Sequence, residues 1–222
     1  HRMKNNIRRS LRRFIYATPI HKWMRLGTTQ LVGEDWDRQL SGPLKSYLGG
    51  TISVEGRNMA LMTLLRIKHP LMASVLDVGC ASGSFARSPG AETLDYTGID
   101  ISAVAITEGR CLSPRSQFHV AQLQESVPDR SYDAIIFSEV LYYLSVDDAV
   151  SEYRRYSASV AADGVVAISV KHDPKSESIM HAIARQFTWL TGIIFQEVAD
   201  GPSWRIRHDA KRPAYLIGLF RP

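Results

Sequence analysis

The sequence predicts an α/β fold: a doubly wound, mostly parallel seven-stranded sheet with helices on both faces, an antiparallel last strand and an N-terminal helical cap. Two observations carry this prediction. Short apolar runs alternate with helix-like segments between residues 74 and 170, which is typical of βαβ units. Two later apolar runs have no helix between them, so we expect an antiparallel pair at the sheet edge.

The predicted strands are short and apolar, as expected for strands buried on both faces. In chain order they are "SVLDVG", "LDYTGID", "QFHVAQL", "YDAIIFSE", "DGVVAISV", "GIIFQEV" and "AYLIGLF". Helix-like segments at 103–110 and 147–160 separate some of these runs, and a further helix is predicted over 176–190.

The first 70 residues are predicted to be a helical cap and basic segment of the same domain, whose main part is residues 71–222. Apolar residues recur at helical spacing among arginines up to about Tyr16, which predicts a basic amphipathic helix. Two further helices are predicted over 36–47 and 55–68, the second ended by Pro70.

Charge is unevenly distributed along the chain. Eight of its 27 Lys and Arg residues precede Gly33, where there is no Asp or Glu, so the remainder carries a net charge of −3. The sequence has no apolar run long enough to span a membrane and no secretory signal. Its two cysteines have no metal-binding spacing. We therefore expect a cytoplasmic protein, whose basic helix can contact a membrane surface.

The stretch "VLDVGCASGSF" at 75–85 is the first strand-to-helix turn, where open α/β sheets bind ligands. It contains neither the P-loop pattern nor GxGxxG. Asp77 precedes Gly79 by two residues, and its carboxylate would repel a pyrophosphate but attract a cationic or amine-bearing group. The turn therefore predicts a cofactor whose nearest part carries no phosphate.

Asp100 ends the next strand, 17 residues after Gly83. An acid near this spacing grips the hydroxyls of a ribose in dinucleotide-binding folds. A ribose-binding acid, a phosphate-free glycine turn and an acid suited to a cation together predict S-adenosylmethionine as the ligand.

Three motifs, "VLDVGCASGSF", "YTGIDIS" and "SYDAIIFSEVLYYL", resemble those of class I S-adenosylmethionine-dependent methyltransferases, in order and at suitable separations over about residues 74–170. The resemblance implies that the cofactor is S-adenosylmethionine and the product S-adenosylhomocysteine. It implies this cofactor-binding set: Asp77, Gly79, Cys80, Ala81, Gly83, Phe85, Asp100, Ile101, Gln122, Leu123 and Ser138.

By this resemblance, the methionine end of the cofactor lies along the first turn, against Asp77, Gly79, Ala81 and Gly83. Ser138 would offer its carbonyl to the methionine amine. The thiol of the neighbouring Cys80 is interpreted as a small filler, because methyl transfer needs no thiol.

The adenosine end is implied to lie along the second and third strands. Asp100 would bind the ribose and Ile101 would pack on adenine. Gln122 and Leu123 fall where the family often has an acid followed by an apolar residue. Gln122 departs from the acid but can still accept a hydrogen bond from the adenine amine.

The candidate catalytic residues follow the fourth and fifth strands: Glu139 and Tyr143, then His172 and Asp173. His172, beside an acid, is the preferred general base, because imidazole titrates near neutral pH. The alternative is a solvated loop histidine. Tyr143 stands where many relatives carry histidine. No ligand cluster indicates a metal site, although Glu139 and Asp173 can each ligate a divalent cation.

The acceptor is predicted to be a hydroxyl of a polar small molecule or saccharide. The aromatic residues suited to sugar faces are Trp36, Tyr47, Tyr142, Tyr143 and Trp204. His208 lies near the last of them. Alternatives are N-methylation of a small molecule, methylation of RNA or protein through the basic arm, and a non-enzymatic binding module. Nucleic acid is disfavoured, because the body of the chain is acidic.

Overall fold

The computed structural model describes residues 33–41, 52–126, 128, 130–196 and 214–222. Within these ranges the strands are β1 (Ser74–Val78), β2 (Asp95–Asp100), β3 (Gln117–Val120), β4 (Tyr132–Ser138), β5 (Val160–Lys171), β6 (Thr188–Gln196) and β7 (Ala214–Arg221). The helices are α1 (Gly33–Ser41), α2 (Ile52–Lys68), α3 (Ala103–Leu112), α4 (Val146–Ser157) and α5 (Pro174–Ala184).

The strands of the described ranges form one seven-stranded sheet in the order β3-β2-β1-β4-β5-β7-β6. Strands β1 to β5 pair in parallel, and β7 runs antiparallel to both β5 and β6. The predicted fold class is therefore confirmed. The order reverses between β1 and β4, so a ligand-binding crevice is expected beyond the carboxyl ends of these two strands.

The two faces of the sheet carry separate cores, because successive side chains of a strand point to opposite faces. In β1, Val75 packs with residues of α2 and α3, whereas Leu76 packs with residues of α4 and α5. In β4, Ile136 and Ile135 divide between the faces in the same way. Both faces of the central strands are consequently buried, as a doubly wound sheet requires.

Three helices begin at a side chain that caps them. Ser102, Ser145 and Asp173 immediately precede α3, α4 and α5, and each accepts a hydrogen bond from a backbone N–H in the first turn of its helix. These caps satisfy amides that have no partner within the helix. They fix the point at which the chain leaves the carboxyl edge of the sheet.

The predicted helix over 176–190 is wrong at its C-terminal end. Helix α5 ends at Ala184, and β6 already begins at Thr188. In β6, the indole of Trp189 folds over Gly192, where a Cβ would come within 2.4 Å of the ring, and over Gly218 of β7. The two facing glycines make room for the indole, so Gly192 lies inside a strand rather than at its start.

Several predictions, in the N-terminal part and between residues 197 and 213, fall outside the described residues. The basic helix up to Tyr16, the side chains of Tyr47, Trp204 and His208, and residues 42–47 of the helix predicted over 36–47 are among them. The remainder of that helix overlaps α1. Within the described residues, none of the helices has the length and apolar character needed to cross a bilayer.

Candidate functional site

The turn after β1 has a backbone that few side chains tolerate. Gly79, Ala81 and Gly83 all have positive φ values, of 76°, 48° and 69°. A Cβ on Gly79 would lie 2.8 Å from the Cβ of Val140, so that position also needs glycine for space. The amide of Gly79 donates to the carbonyl of Ile99 over 2.9 Å. The turn is thereby held between the ends of β2 and β4.

Asp77 lies beneath this turn and is 1% exposed. One of its carboxylate oxygens, Oδ2, accepts a hydrogen bond from the Tyr96 hydroxyl at 2.8 Å. The other, Oδ1, has no partner among the described residues. Burial raises the pKa of Asp77 to about 7, against the opposing effects of the Tyr96 hydrogen bond and the Arg57 charge. Such a carboxyl group favours a cationic ligand.

Arg57 and Asn58 of α2 face the same region, and sequence reasoning missed both. They are 7% and 1% exposed. Asn58 Nδ2 donates to the hydroxyl of Ser84 in the glycine turn over 3.1 Å. Arg57 stacks over the ring of Tyr215, 5.2 Å from its centroid. Arg57 Nε and Asn58 Oδ1 are buried and have no hydrogen-bond partner among the described residues.

The unpartnered atoms of Asp77, Arg57 and Asn58 fit the amino-acid end of S-adenosylmethionine. Asp77 supplies an acceptor for an ammonium group, and Arg57 supplies a donor for a carboxylate. Buried polar atoms of this kind normally have partners. The residues present therefore suit a zwitterionic ligand at the turn.

Asp100 lies at the end of β2, beside the same turn. Its Oδ2 accepts from the amide of Ala81 and its Oδ1 from the amide of Ser102, both at 2.9 Å. Burial raises the pKa of Asp100, although these two backbone hydrogen bonds oppose the increase. Each oxygen keeps a further lone pair, so the carboxylate can still accept from a ligand's hydroxyl groups.

The segment after β3 is fixed by α4. The Arg155 guanidinium donates to the carbonyls of Leu123 and Ser126, and the Tyr156 hydroxyl donates to the same Leu123 carbonyl at 3.0 Å. The carbonyl of Gln122 accepts from the amide of Ser126 at 2.9 Å. Gln122 and Leu123 are thus placed at the carboxyl edge of the sheet, beyond β3.

Glu139 follows β4 in a strained left-handed conformation, with φ of 56°. Its Oε2 accepts from the amide of Lys171 at 3.1 Å, and its Oε1 lies 3.4 Å from Ser169 Oγ and 3.5 Å from Arg57 Nη1. Burial raises the pKa of Glu139 to about 7, although the Arg57 charge opposes the increase. Its side chain is 20% exposed, so it remains reachable from the cleft.

Tyr142 and Tyr143 form an aromatic pair next to Glu139. Their ring centroids are 4.5 Å apart and their hydroxyls 3.4 Å apart. Burial raises the pKa of Tyr143 to about 12 and that of Tyr142 well above its usual value. Both phenols consequently stay protonated at neutral pH and can donate hydrogen bonds.

His172 and Asp173 follow β5, as predicted, but they do not pair with each other. The His172 Nε2 lies 2.6 Å from Glu177 Oε1 in α5. Asp173 Oδ1 instead accepts from the amide of Ser176, as the cap of α5. The acid that accompanies the histidine is therefore Glu177.

The remaining predicted cofactor residues have varied surroundings. Cys80 and Phe85 are buried in the core that α2 and α3 cover. Burial raises the pKa of the Cys80 thiol well above its usual value, so it is not a nucleophile at neutral pH. Ile101 and Ser138 are half-buried at the ends of β2 and β4.

Within the described ranges, no three His, Cys, Asp or Glu side chains form a group that could hold a metal ion.

Residues 52–211 match a family model described as a methyltransferase domain. The match includes β1 to β6 and the whole predicted cofactor site. The chain belongs to the class I S-adenosylmethionine-dependent methyltransferase family. The family predicted from the sequence, with S-adenosylmethionine as its cofactor, is confirmed.

Two relatives of this methyltransferase show the range of named activities. The ubiquinone biosynthesis O-methyltransferase of Serratia proteamaculans (strain 568) is 29% identical over 154 residues, which are 65% of this chain and 58% of the relative. The dTDP-3-amino-3,4,6-trideoxy-alpha-D-glucopyranose N,N-dimethyltransferase of Streptomyces venezuelae is 23% identical over 124 residues, 55% of this chain and 52% of the relative. The chain thus spans less than two thirds of either relative.

A solved structure supports the fold independently. The N-methyltransferase NodS from Bradyrhizobium japonicum WM9, in complex with S-adenosyl-L-homocysteine, superposes with a TM-score of 0.69 at 18% identity. The superposition covers 85% of this methyltransferase chain and 97% of NodS. At this identity the likeness establishes the fold, not the acceptor.

Proposed function

We propose that the protein transfers a methyl group from S-adenosylmethionine to a hydroxyl of a polar small molecule or saccharide. The observation that carries the proposal is the buried pair of opposite charges beside the glycine turn. Among the residues that the structure describes, no partner bonds to one polar atom of Asp77 and one of Arg57 there. Together they suit the ammonium and carboxylate of one amino-acid-like ligand.

The remaining proposed contacts to the cofactor are those that the family resemblance implies. Asp100 accepts hydrogen bonds from the ribose hydroxyls, and Ile101, Gln122 and Leu123 form the adenine side. Ser138 offers its carbonyl to the methionine amine. When bound, S-adenosylmethionine supplies an electrophilic methyl carbon on a sulfonium. The protein's task is then to align an acceptor atom with that carbon and to remove its proton.

Glu139 is proposed as the general base. Its raised pKa, of about 7, matches the pH range in which a base must be deprotonated yet able to take a proton. The tyrosine pair next to it shapes the acceptor pocket. His172 is the competing base, and its contact with Glu177 can orient the imidazole ring.

A saccharide acceptor is supported by the aromatic surface beside Glu139. Trp36 meets the ring of Tyr143 edge-on with centroids 5.0 Å apart. Tyr142 also contacts Tyr143, with ring centroids 4.5 Å apart. Aromatic faces of this kind pack against the apolar faces of sugar rings, while phenol hydroxyls bind sugar hydroxyls.

An amine acceptor is the second candidate, and the same carboxyl group favours it. Glu139 is a half-buried anion when deprotonated, so it can bind an ammonium and then take its proton. The Streptomyces venezuelae relative is named for N,N-dimethylation of an amino sugar nucleotide. The named O-methyltransferase relative supports the hydroxyl alternative.

The test is transfer of a labelled methyl group to matched pairs of hydroxyl and amino sugars, and to small metabolites, RNA and protein. We expect label on a sugar or small polar metabolite and none on RNA or protein. Label on the amino member of a pair alone identifies the amine acceptor. Binding of S-adenosylmethionine without transfer to any acceptor class contradicts the saccharide proposal.

A further inference from the structure

Helix α1 touches both sides of the cofactor cleft. Gly33 lies so close to Ile101 that a Cβ would come within 2.8 Å of the Ile101 carbonyl oxygen. One turn later, Trp36 meets Tyr143 with centroids 5.0 Å apart and ring planes at 81°. Residues three and four apart lie on one face of a helix, so this face of α1 makes both contacts.

The strand order shows what lies beneath that face. Ile101 follows β2 and Tyr143 follows β4, and β1 lies between these two strands. A helix that contacts the segments after both strands therefore lies close to the carboxyl end of β1. The glycine turn and Asp77 are at that end. Helix α1 thus lies close to the place where the methyl donor of this family would bind.

Asp37 ties this helix to the ribose-binding acid. Its Oδ1 accepts from Ser102 Oγ at 2.5 Å and from the amide of Val104 at 3.1 Å. The amide of Ser102 in turn donates to Asp100 over 2.9 Å. Helix α1 has only nine residues. A helix of this length is marginal alone, so its position depends on such contacts.

We propose that Asp37 is a positioning residue that fastens α1 across the bound cofactor, so that the cofactor leaves only when the helix detaches. The proposal rests on the proposed function. The same helix carries Trp36 to Tyr143 on the acceptor side. Fastening at Asp37 therefore also completes the aromatic wall of the acceptor pocket, and cofactor binding is expected to precede acceptor binding.

The experiment measures the dissociation rate of S-adenosylhomocysteine from the full chain by stopped-flow displacement. Asp37→Ala should accelerate dissociation by roughly 10- to 100-fold, the range expected when hydrogen bonds to a charged group are lost. Asp37→Asn keeps an acceptor oxygen and should restore most of the slow rate. The matched control is Asp35→Ala, because Asp35 contacts Arg38 of the same helix at 3.6 Å. It should leave the rate within about twofold of wild type.

A second variant tests whether α1 acts as a unit. Trp36→Ala alone should also accelerate dissociation, because it removes the contact with Tyr143. In the double variant with Asp37→Ala, the dissociation rate should be close to that of the faster single variant. Once one substitution has detached the helix, the other removes no further contact with the cleft. Multiplicative effects of the two substitutions would mean independent local contacts and would overturn the proposal.

The outcomes separate this inference from the proposed function. Wild-type protein that fails to bind S-adenosylhomocysteine overturns both. Normal wild-type binding with equal dissociation from Asp37→Ala and Asp35→Ala overturns the fastening role alone. If Asp37→Ala unfolds under assay conditions, the proposal is tested instead by amide hydrogen exchange of the wild-type protein with and without S-adenosylhomocysteine. The ligand must slow amide exchange over residues 33–41, and unchanged exchange overturns the proposal.

Discussion

At the scale of single residues, the pKa values of Asp77 and Asp133 are shifted in opposite directions. Asp77 lies at the carboxyl end of β1, where burial outweighs its one hydrogen bond and raises its pKa to about 7. Asp133 lies at the other end of the sheet. Burial acts on it too, but hydrogen bonds from Ala73 and Ser74 prevail and lower its pKa. The Asp77 carboxyl group can therefore still bind a ligand, whereas the hydrogen bonds of the Asp133 carboxylate are supplied by the protein.

Asp77→Asn should stabilise the ligand-free protein at pH 8. The pKa of Asp77 is about 7 when folded and near 3.8 when unfolded. Folding therefore takes up a proton between these values, and stability falls as pH rises through that window. Asparagine cannot ionise, so we expect the free energy of unfolding at pH 8 to rise by about 1–2 kcal/mol, after the burial of an unpaired amide is allowed for. Urea unfolding at pH 5 and pH 8 measures this.

The same substitution should weaken cofactor binding by roughly tenfold or more, because the partner of the ligand's ammonium is lost. Calorimetry with S-adenosylhomocysteine measures it. Asp133→Asn is the matched control. The pKa of Asp133 is lowered, so its contribution to stability is present at pH 8 and is lost as pH falls. This control should destabilise the protein at pH 8 and leave the affinity within about twofold. If Asp77→Asn also destabilises the protein at pH 8, the ionised Asp77 carboxylate does not lower the stability of the folded state, and the prediction is wrong.

Glu139→Gln should lower kcat by about 10²- to 10⁴-fold, the range attributed to a general base. In wild type, kcat should rise with pH through about 7 as Glu139 loses its proton, and the variant should lack this rise. His172→Ala is measured in parallel. A flattened profile in His172→Ala, with the rise retained in Glu139→Gln, would assign the base to His172 instead.

At the scale of elements, the turn after β1 is set by space as well as by backbone conformation. Gly79 and Gly90 both have positive φ, but a Cβ on Gly79 would lie 2.8 Å from Val140, whereas one on Gly90 would lie 3.7 Å from Met62. Gly90→Ala should cost about 1 kcal/mol for conformation alone. Gly79→Ala should cost about 3 kcal/mol or more, since Val140 must move as well. If urea unfolding gives the same loss of unfolding free energy for both variants, Val140 moves aside at no measurable cost.

The strands could be predicted because their apolar runs are continuous, and the alternation of strands with helices indicated the parallel, doubly wound sheet. The boundary between α5 and β6 could not. Trp189 and Leu190 continue an apolar pattern that fits a helix, and Gly192 looks like a break in the sequence. Only the pairing with β7 gives Gly192 its role, since it faces Gly218 beneath the indole of Trp189. That information lies in residues distant along the chain.

The cofactor site was predictable to a similar, limited extent. Asp77 and Asp100 lie at the carboxyl ends of β1 and β2, where topology alone places functional groups. Arg57, Asn58 and Asp37 lie on helices, where charged residues usually belong to the solvated face. The burial of Arg57 and Asn58 results from how α2 packs on the sheet, and the contacts of Asp37 result from how α1 packs on α3. A single sequence contains no periodicity that distinguishes a buried arginine in a helix from an exposed one.

At the scale of the whole molecule, charge separates the segment before Gly33 from the rest of the chain, which is slightly acidic. If the acceptor is a small polar molecule, raising salt from about 50 to 200 mM should change kcat/KM less than about threefold. A nucleic-acid acceptor bound through several phosphates would lose about 10³-fold or more in affinity over that range. A steep salt dependence, together with methylated RNA, would contradict the saccharide proposal.

The polar atoms of Arg57, Asn58 and Asp77 that find no partner in the described part of the chain have a consequence for the lifetime of the protein. Without ligand they lower stability, and a ligand present at about 100 times its Kd adds about 2.7 kcal/mol to the free energy of unfolding. The unfolded fraction would then fall about a hundredfold when the methyl donor is plentiful. Cleavage by a nonspecific protease should slow accordingly in saturating S-adenosylhomocysteine. The steady-state abundance of the enzyme would thus follow the supply of its own cofactor.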